Sequence, residues 1–203
     1  MRVAILFALF LLAGCFKPSE PPLPSQTVVA GQEYLNDPID QETRDVYDLV
    51  RANFTELNGS VVLSVELRDV HSPIPRLVNV FDVVTEGGRR TYYARTIADL
   101  NRPAPHINYE LGRIEDGKEE RIGNICGIHG AAETPPRILF DLPHNLTGLE
   151  DGGTLVRLHI EVHDFETETL YDAGDAEKSL AIRGGPNPHG DTCPLVAERA
   201  KQS

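Results

Sequence analysis

From residue 60 onward, apolar side chains recur at every second position, and this period limits the fold more than any other feature. Val61, Leu63, Val65 and Leu67 form the first such series. An extended strand with this pattern turns one side towards a core and the other towards water. Strands are therefore expected near residues 61–67, 77–84, 90–97, 107–111, 121–125, 138–142, 156–162 and 179–183.

Glycine-containing turns separate these segments. Gly87-Gly88 and Asp116-Gly117 are two-residue sequences typical of tight β-hairpins. Many short strands joined by such turns indicate an antiparallel β-sandwich or barrel. A chain of 203 residues suits one domain with its own core. We therefore expect a mainly β protein in which residues 59–203 form an antiparallel β-sandwich with a Gly/Pro-rich C-terminal tail.

Residues 37–58 favour one amphipathic helix ahead of the sandwich. Asp37 is a suitable N-cap, Pro38 suits the first helical position, and Gly59 follows as a typical stop. The expected helix packs on its own domain or, alternatively, on a partner. Its apolar positions recur at helical spacing: Val46, Leu49, Val50, Phe54 and Leu57.

The first 15 residues have the layout of an export signal. Arg2 is followed by an apolar stretch over residues 3–11, and small residues then lead into Cys15. This order predicts a secretory signal peptide over residues 1–14. A transmembrane anchor is excluded, because a bilayer needs about 20 apolar residues and Lys17 ends the stretch earlier.

The sequence Leu12-Ala13-Gly14-Cys15 resembles the lipobox of bacterial lipoproteins. The resemblance implies cleavage before Cys15 and attachment of lipid to its sulfur and to its new amino group. Two lipid groups are enough for stable anchoring. In such lipoproteins, an Asp directly after the cysteine changes the membrane to which the protein is sent. Phe16 stands at this position instead, so the resemblance implies the outer membrane, with the domain facing the periplasm. An ordinary signal peptide with an incidental cysteine is the alternative.

Residues 15–36 are predicted to form a lipidated, Pro-rich tether. Pro18, Pro21, Pro22 and Pro24 lie among Ser, Glu and Gln residues, a composition that does not form a packed core. Because proline keeps such a segment extended, we expect the tether to hold the domain away from the lipid surface.

Two segments resemble known β-sandwich proteins. Residues 149–162 resemble the penultimate strand of immunoglobulin-like modules in bacterial envelope proteins, and residues 62–70 (Val-Leu-Ser-Val-Glu-Leu-Arg-Asp-Val) resemble small lipoproteins related to secretion pilotins. These resemblances imply an immunoglobulin-like or transthyretin-like sandwich. The chain has no Trp, so the buried Trp of true immunoglobulin domains is missing.

Besides Cys15, the sequence contains Cys126 and Cys193. In an oxidising envelope compartment, two remaining thiols most simply form one disulfide. The alternatives are a metal site and two free buried thiols. Cys126-Gly127-Ile128-His129 has a ligand-like spacing, and a copper or zinc site there would take His159 or another strand histidine as a further ligand.

His159 and His163 by themselves do not form a metal pair in this interpretation. Four residues of a strand span about 13 Å, whereas two nitrogens bound to one zinc lie within about 4 Å of each other. We expect these histidines to lie on a solvated strand face with Arg157 and Glu161. The acidic residues 172–177 are interpreted as a solvated turn, with structural calcium as the alternative.

The sequence points to binding rather than catalysis. It has no Gly-rich phosphate loop, no Gly-x-Ser-x-Gly and no His-Glu-x-x-His, and no cofactor is expected. The net charge of −12 argues against nucleic acid as a partner. Of Tyr92 and Tyr93, one is expected to be buried and the other to be an exposed contact. We expect a non-enzymatic protein-interaction or assembly module that is anchored to the membrane by lipid and binds another envelope protein, with the metal-handling lipoprotein as the alternative.

Overall fold

The computed structural model describes residues 22–24, 26–37, 47–57, 59–68, 75–99, 106–130 and 137–186. Three expectations involve residues outside these ranges and stay predictions. They are the signal peptide over residues 1–14, the lipidation of Cys15 and the pairing of Cys193. The strands are β1 Thr27–Val28, β2 Glu33–Asn36, β3 Leu49–Leu57, β4 Ser60–Leu67, β5 Arg76–Thr85, β6 Gly88–Asp99, β7 His106–Glu115, β8 Lys118–Ile125, β9 Gly127–Gly130, β10 Arg137–Pro143, β11 Gly153–His163, β12 Leu170–Ala176 and β13 Ser179–Ile182, and the helix α1 is His144–Thr147.

The strands form two sheets that face each other as a sandwich. Sheet A has eight strands in the order β1-β13-β11-β5-β6-β7-β8, with β12 paired to β11 along the same edge as β13. Sheet B has five strands in the order β2-β3-β4-β10-β9. Within the described strands, β1 and β13 are the one parallel pair. The prediction of a mainly β, antiparallel sandwich is confirmed.

The core lies between the sheets, where the alternating apolar residues of both meet. The ring of Phe54 in sheet B lies 6.5 Å from the ring of Phe81 in sheet A, and Phe81 stacks on Tyr92 at 5.8 Å. Each large apolar side chain buried in this way contributes roughly 1.5–3 kcal/mol. The largest fully buried side chains of this core are Tyr34, Tyr47, Phe54, Phe81, Phe140, Leu49, Leu63, Leu67, Leu77, Leu111 and Ile138.

The two sheets also meet along their long sides. On one side the chain passes from β8 to β9 at Cys126, whose carbonyl accepts a hydrogen bond from the Asp141 amide at 2.9 Å. On the other side β12 lies against β2 and β3. Gly174 of β12 is so close to Leu35 and Leu49 that an added Cβ would lie 2.9 Å from each side chain.

The helix predicted over residues 37–58 is wrong from residue 49 onward, and residues 38–46 lie outside the described ranges. Leu49–Leu57 is strand β3. A β-bulge between Leu49 and Arg51 adds one residue to this strand. The buried positions are therefore Leu49, Ala52 and Phe54, and the three-residue step at the bulge imitates a helical period.

The tether predicted over residues 15–36 is wrong for its C-terminal part. Ser179 donates a hydrogen bond from its hydroxyl to the Pro24 carbonyl at 2.9 Å. Strand β1 then pairs with β13, and β2 pairs with β3. Tyr34 and Leu35 of β2 are buried in the core. Both strands lie at sheet edges, where proline-rich neighbours are tolerated, so composition alone does not exclude packing here.

The predicted hairpins are both present, one of them displaced. Asp116 and Gly117 have φ angles of 51° and 72°, and Glu115 pairs with Lys118 across the turn, as predicted. In the first hairpin Gly88 already pairs with Thr85. The turn is therefore one residue earlier than the predicted Gly87-Gly88.

The acidic segment predicted to be a solvated turn is wrong for most of its length, because Leu170–Ala176 is strand β12. Its carboxylates bind groups on neighbouring strands. Asp172 Oδ2 accepts a hydrogen bond from the Leu49 amide at 2.7 Å, and Asp175 Oδ1 lies 2.9 Å from His159 Nδ1. These contacts need the tertiary arrangement, which the charge pattern does not contain.

Candidate functional site

Sheet A turns one side away from the core along six neighbouring strands, β12, β11, β5, β6, β7 and β8, and we call this surface the outer face. In the cross-strand register His159 lies opposite Asp175 on one side and Val80 on the other. Tyr93 lies opposite both Val80 and Gly112. One row of side chains therefore crosses most of the sheet.

Four titratable side chains on β11 and β12 form a hydrogen-bonded series, which we call the histidine row. They are Asp175, His159, Glu161 and His163. His159 places Nδ1 2.9 Å from Asp175 Oδ1 and Nε2 3.2 Å from Glu161 Oε1. Glu161 Oε2 lies 2.8 Å from His163 Nε2. Since ionised carboxylates only accept, His159 satisfies both of its contacts when both ring nitrogens carry hydrogen.

The two histidines favour the ionised form of Glu161. Partial burial acts to raise the pKa of Glu161, but the hydrogen bonds from His163 and His159 outweigh it and hold this pKa below its ordinary value of 4.5. The prediction that the two histidines share a strand face with Glu161 is confirmed. The carboxylate between them orders both rings.

The second network on the outer face, the arginine cluster, is centred on Glu110 of β7, which is 5% exposed. Its Oε1 accepts hydrogen bonds from Arg95 Nη2 at 2.7 Å and Arg95 Nε at 3.0 Å. Its Oε2 lies 2.8 Å from Arg121 Nε. Arg95 also reaches Glu119 at 2.9 Å. A carboxylate removed from water needs such partners, so these charges are positioned within the protein itself.

Tyr93 completes the arginine cluster. It is 2% exposed, and its ring covers Gly112 so closely that a Cβ there has no room. Its hydroxyl donates a hydrogen bond to Glu110 Oε1 at 3.2 Å, and the Arg95 guanidinium lies 4.6 Å from the ring centroid. Burial raises the pKa of Tyr93, so the hydroxyl remains a donor. The expectation that one of Tyr92 and Tyr93 is exposed is wrong, because both are buried.

An apolar strip lies between the histidine row and the arginine cluster. It consists of the half-buried Val78 and Val80 of β5 and Ile97 of β6. At one end of the strip a cavity of about 320 Å³ is lined by Arg76, Arg95, Ile97 and Phe165 among others. The outer face therefore combines an apolar centre with charges held in fixed positions on both sides.

The structure does not bring Cys126, His129 and His159 together. Cys126 is disulfide-bonded, so its sulfur is not a thiolate. His129 Nδ1 lies 3.4 Å from the Tyr109 hydroxyl beside sheet B, whereas His159 belongs to the outer face. Among the described residues, no three His, Cys, Asp or Glu side chains are grouped to hold a metal ion. The metal-handling alternative thus loses the thiolate that it requires.

The arginine cluster was missed by the sequence reasoning. The sequence contains one weak indication of this cluster. By alternation along the strand, Tyr93, Arg95 and Ile97 share one side of β6. Nothing in the sequence places Glu110 of β7 opposite Arg95, because that contact depends on the register between the two strands.

Comparisons of the chain with family profiles, with curated proteins and with solved structures find no match. Among the described residues there is also no helix with the length and apolar character needed to cross a membrane.

Proposed function

We propose that this protein is a lipid-anchored protein of the bacterial cell envelope whose outer face binds another protein without catalysing a reaction. The observation that carries the proposal is the arrangement of the outer face, in which two ordered charge networks flank an apolar strip. Complementary charges give specificity and speed of association, while burial of apolar side chains contributes to affinity.

The internal contacts of the outer face favour binding because they lower its entropic cost. Glu110 holds Arg95 and Arg121, and Glu161 holds His159 and His163. Immobilising a flexible side chain on association costs roughly 0.5–1.5 kcal/mol. Side chains that are already ordered avoid part of this cost.

The dimensions of the outer face suit a modest protein–protein interface. Six strands include five spacings of about 4.8 Å, which makes the face roughly 24 Å wide. Seven residues of β11, from Arg157 to His163, extend it by about 20 Å along the strand. A flat area of roughly 500 Å² on each partner corresponds to a weak or transient complex.

The location in the proposal depends on the N-terminal sequence. Leu12-Ala13-Gly14-Cys15 supports lipidation of Cys15, and Phe16 supports the outer membrane, with the domain in the periplasm. A disulfide at Cys126 suits such an oxidising compartment. The net charge of −12 supports a protein partner over nucleic acid.

Site-specific photo-crosslinking in the producing cell tests the binding surface. A photoreactive phenylalanine analogue replaces Val80, which is half-buried at the centre of the outer face. We expect one discrete crosslinked product containing a second polypeptide. The matched control carries the same analogue at Thr55, an exposed strand position on sheet B, and is expected to give none.

Two results would contradict the proposal in separate ways. Equal crosslinking from Val80 and Thr55, or none from Val80, would exclude the outer face as the binding surface. A Cys15→Ser variant that stays in the membrane fraction like the wild type would exclude the lipid anchor, irrespective of the crosslinking result.

A further inference from the structure

A cleft with a positive lining lies where β6, β7 and β8 meet α1, and we call it the end cleft. Its volume is about 530 Å³, within the range of roughly 300–1,000 Å³ typical of small-ligand sites. The lining includes Arg90, Tyr92, Arg113, Ile122, Asn145 and Leu146. Neither the outer face nor the proposed protein partner accounts for this arrangement.

Two hydrogen-bond donors of the end cleft have no partner among the described residues. The guanidinium of Arg90 forms neither an ion pair nor a hydrogen bond with them, whereas Arg113 binds Glu120 at 2.8 Å and Glu115 at 3.1 Å. Tyr92 is 2% exposed, yet its hydroxyl also forms no hydrogen bond with a described residue. Arg90 is exposed, and neither donor is among the buried, unpartnered polar atoms of the described residues, so both are open to an acceptor group of a ligand.

Gly148, after α1, keeps these two donors accessible. It has a φ angle of 70°, which favours glycine, and an added Cβ would lie 3.4 Å from Arg90 Nη1 and 3.7 Å from the Tyr92 hydroxyl. No side chain at this position stands between the two groups. Arg90 and Tyr92 therefore contribute donors to one small volume.

The charges on the lining select the type of anion. Arg90, Arg113 and Arg121 are opposed by Glu120 and Glu150 in the same lining, and Arg121 is also paired with Glu110. Because Arg113 is paired with Glu120 and Arg121 with Glu110, Arg90 is the one guanidinium of this lining that forms no ion pair with a described residue. A single free guanidinium matches a single negative charge better than a dianion such as phosphate. A guanidinium fork and a carboxylate have matching bidentate geometry.

We propose that the end cleft binds a carboxylate carried next to an apolar group. Arg90 and Tyr92 bind the carboxylate oxygens, and Ile122 and Leu146 contact the apolar group. Asn145 supplies an amide for a further polar group. Such a carboxylate comes from the C-terminus of a peptide or from a small organic acid, and the two sources differ in whether a peptide amide accompanies the acid.

Titration of the full-length protein in detergent, followed by NMR, tests the end cleft with defined probes. N-Acetyl-leucine represents a peptide C-terminus, and 4-methylpentanoate has the same carboxylate and branched chain without the amide. We expect binding of at least one, with the Gly148 amide signal shifted, and at least roughly tenfold weaker binding of N-acetyl-leucinamide, which lacks the charge. Tighter binding of N-acetyl-leucine than of 4-methylpentanoate assigns a peptide, and equal binding assigns a small acid.

Variants connect the binding to the named donors. Arg90→Gln is expected to weaken binding roughly tenfold or more, and Tyr92→Phe, which keeps the ring, to weaken it by roughly threefold to tenfold. The matched control is Arg183→Gln, in a different cavity, which should bind like the wild type. The proposal is overturned by equal binding of acid and amide, by unchanged affinity in Arg90→Gln, by tighter binding of inorganic phosphate, or by no binding at millimolar concentration.

Discussion

Strands β4 and β8 have the same length but opposite environments. All eight residues of Ser60–Leu67 are buried, including Val62, which points away from the core between the sheets and is 5% exposed. In Lys118–Ile125 every residue is exposed or half-exposed. β4 has strand neighbours on both sides, β3 and β10, whereas β8 pairs with β7 at one end of sheet A.

The difference shows that position in the sheet decides burial as much as side-chain alternation does. The alternation in β4 correctly identifies its core side, but Ser64 and Glu66 on the other side are buried as well. In β8 the charged residues Lys118, Glu119 and Glu120 suit an edge strand, because charges discourage pairing with a further strand. The end cleft and part of the outer face lie beside this edge strand.

The largest expected effect is at the centre of β4. Leu63 is fully buried, so Leu63→Ala removes apolar contacts and leaves a cavity, which together cost about 3–5 kcal/mol. The free energy of unfolding, measured by urea titration, checks this. The matched change in β8 is Ile122→Ala, which affects a side chain 39% exposed and should cost less than about 0.5 kcal/mol. Similar losses in both variants would remove the contrast between the strands.

Removing the disulfide at Cys126 tests how much this crosslink, at the connection between β8 and sheet B, contributes to stability. Cys126→Ala removes a crosslink at the point where the chain changes sheets, and we expect a loss of about 2–4 kcal/mol in the free energy of unfolding. The wild type under reducing conditions serves as the control and should match the variant. A variant as stable as the oxidised wild type would show that the crosslink contributes nothing to the fold.

Two glycine-to-alanine substitutions compare how tightly side chains pack around β7 and around β8. Gly112→Ala brings a Cβ into the Tyr93 ring, so the ring must move, and we expect a loss of about 1–3 kcal/mol. In β8 nothing lies within 4 Å of an added Cβ at Gly123, and Gly123→Ala should change stability by less than about 0.5 kcal/mol. Near-ultraviolet circular dichroism should report the moved tyrosine for Gly112→Ala alone. A tolerated Gly112→Ala would mean that Tyr93 is not fixed by its neighbour.

The smallest effect concerns Asp164, which follows β11 and is held by hydrogen bonds instead of burial. The Tyr47 hydroxyl at 2.7 Å, and then the Thr167 amide at 2.8 Å, lower the pKa of Asp164 from 3.8 to about 2. A lowered pKa stabilises the fold above pH 3.8, and this contribution is lost as the pH falls towards 2. The difference in urea midpoint between wild type and Asp164→Asn should therefore be constant near neutral pH and shrink between pH 4 and 2. A difference independent of pH would contradict this.

The strands with regular alternation could be predicted from the sequence, because alternation is a local property. Val61–Leu67, the Asp116-Gly117 hairpin and the series ending at Val162 all follow that rule. The prediction failed at β3, where the bulge between Leu49 and Arg51 interrupts the period. It also failed at β2, whose burial of Tyr34 depends on pairing with β3.

The candidate sites were less predictable than the fold. The sequence placed His159, Glu161 and His163 on one strand face, and the structure confirms this. It did not show that Asp175 joins them, since that contact requires β12 to pair with β11. The grouping of Arg90 and Tyr92 with Gly148 joins β6 to a segment more than fifty residues later in the chain.

By itself, the sequence determined that this protein is built of short antiparallel strands, and it predicts an export signal with a lipobox-like cysteine. Local spacing and turn residues are enough for such conclusions. The tertiary structure alone decided which strand is enclosed, which is an edge, and which charged side chains meet on the outer face and around the end cleft. Those outcomes depend on register between strands distant in the chain, and no local pattern of residues determines that register.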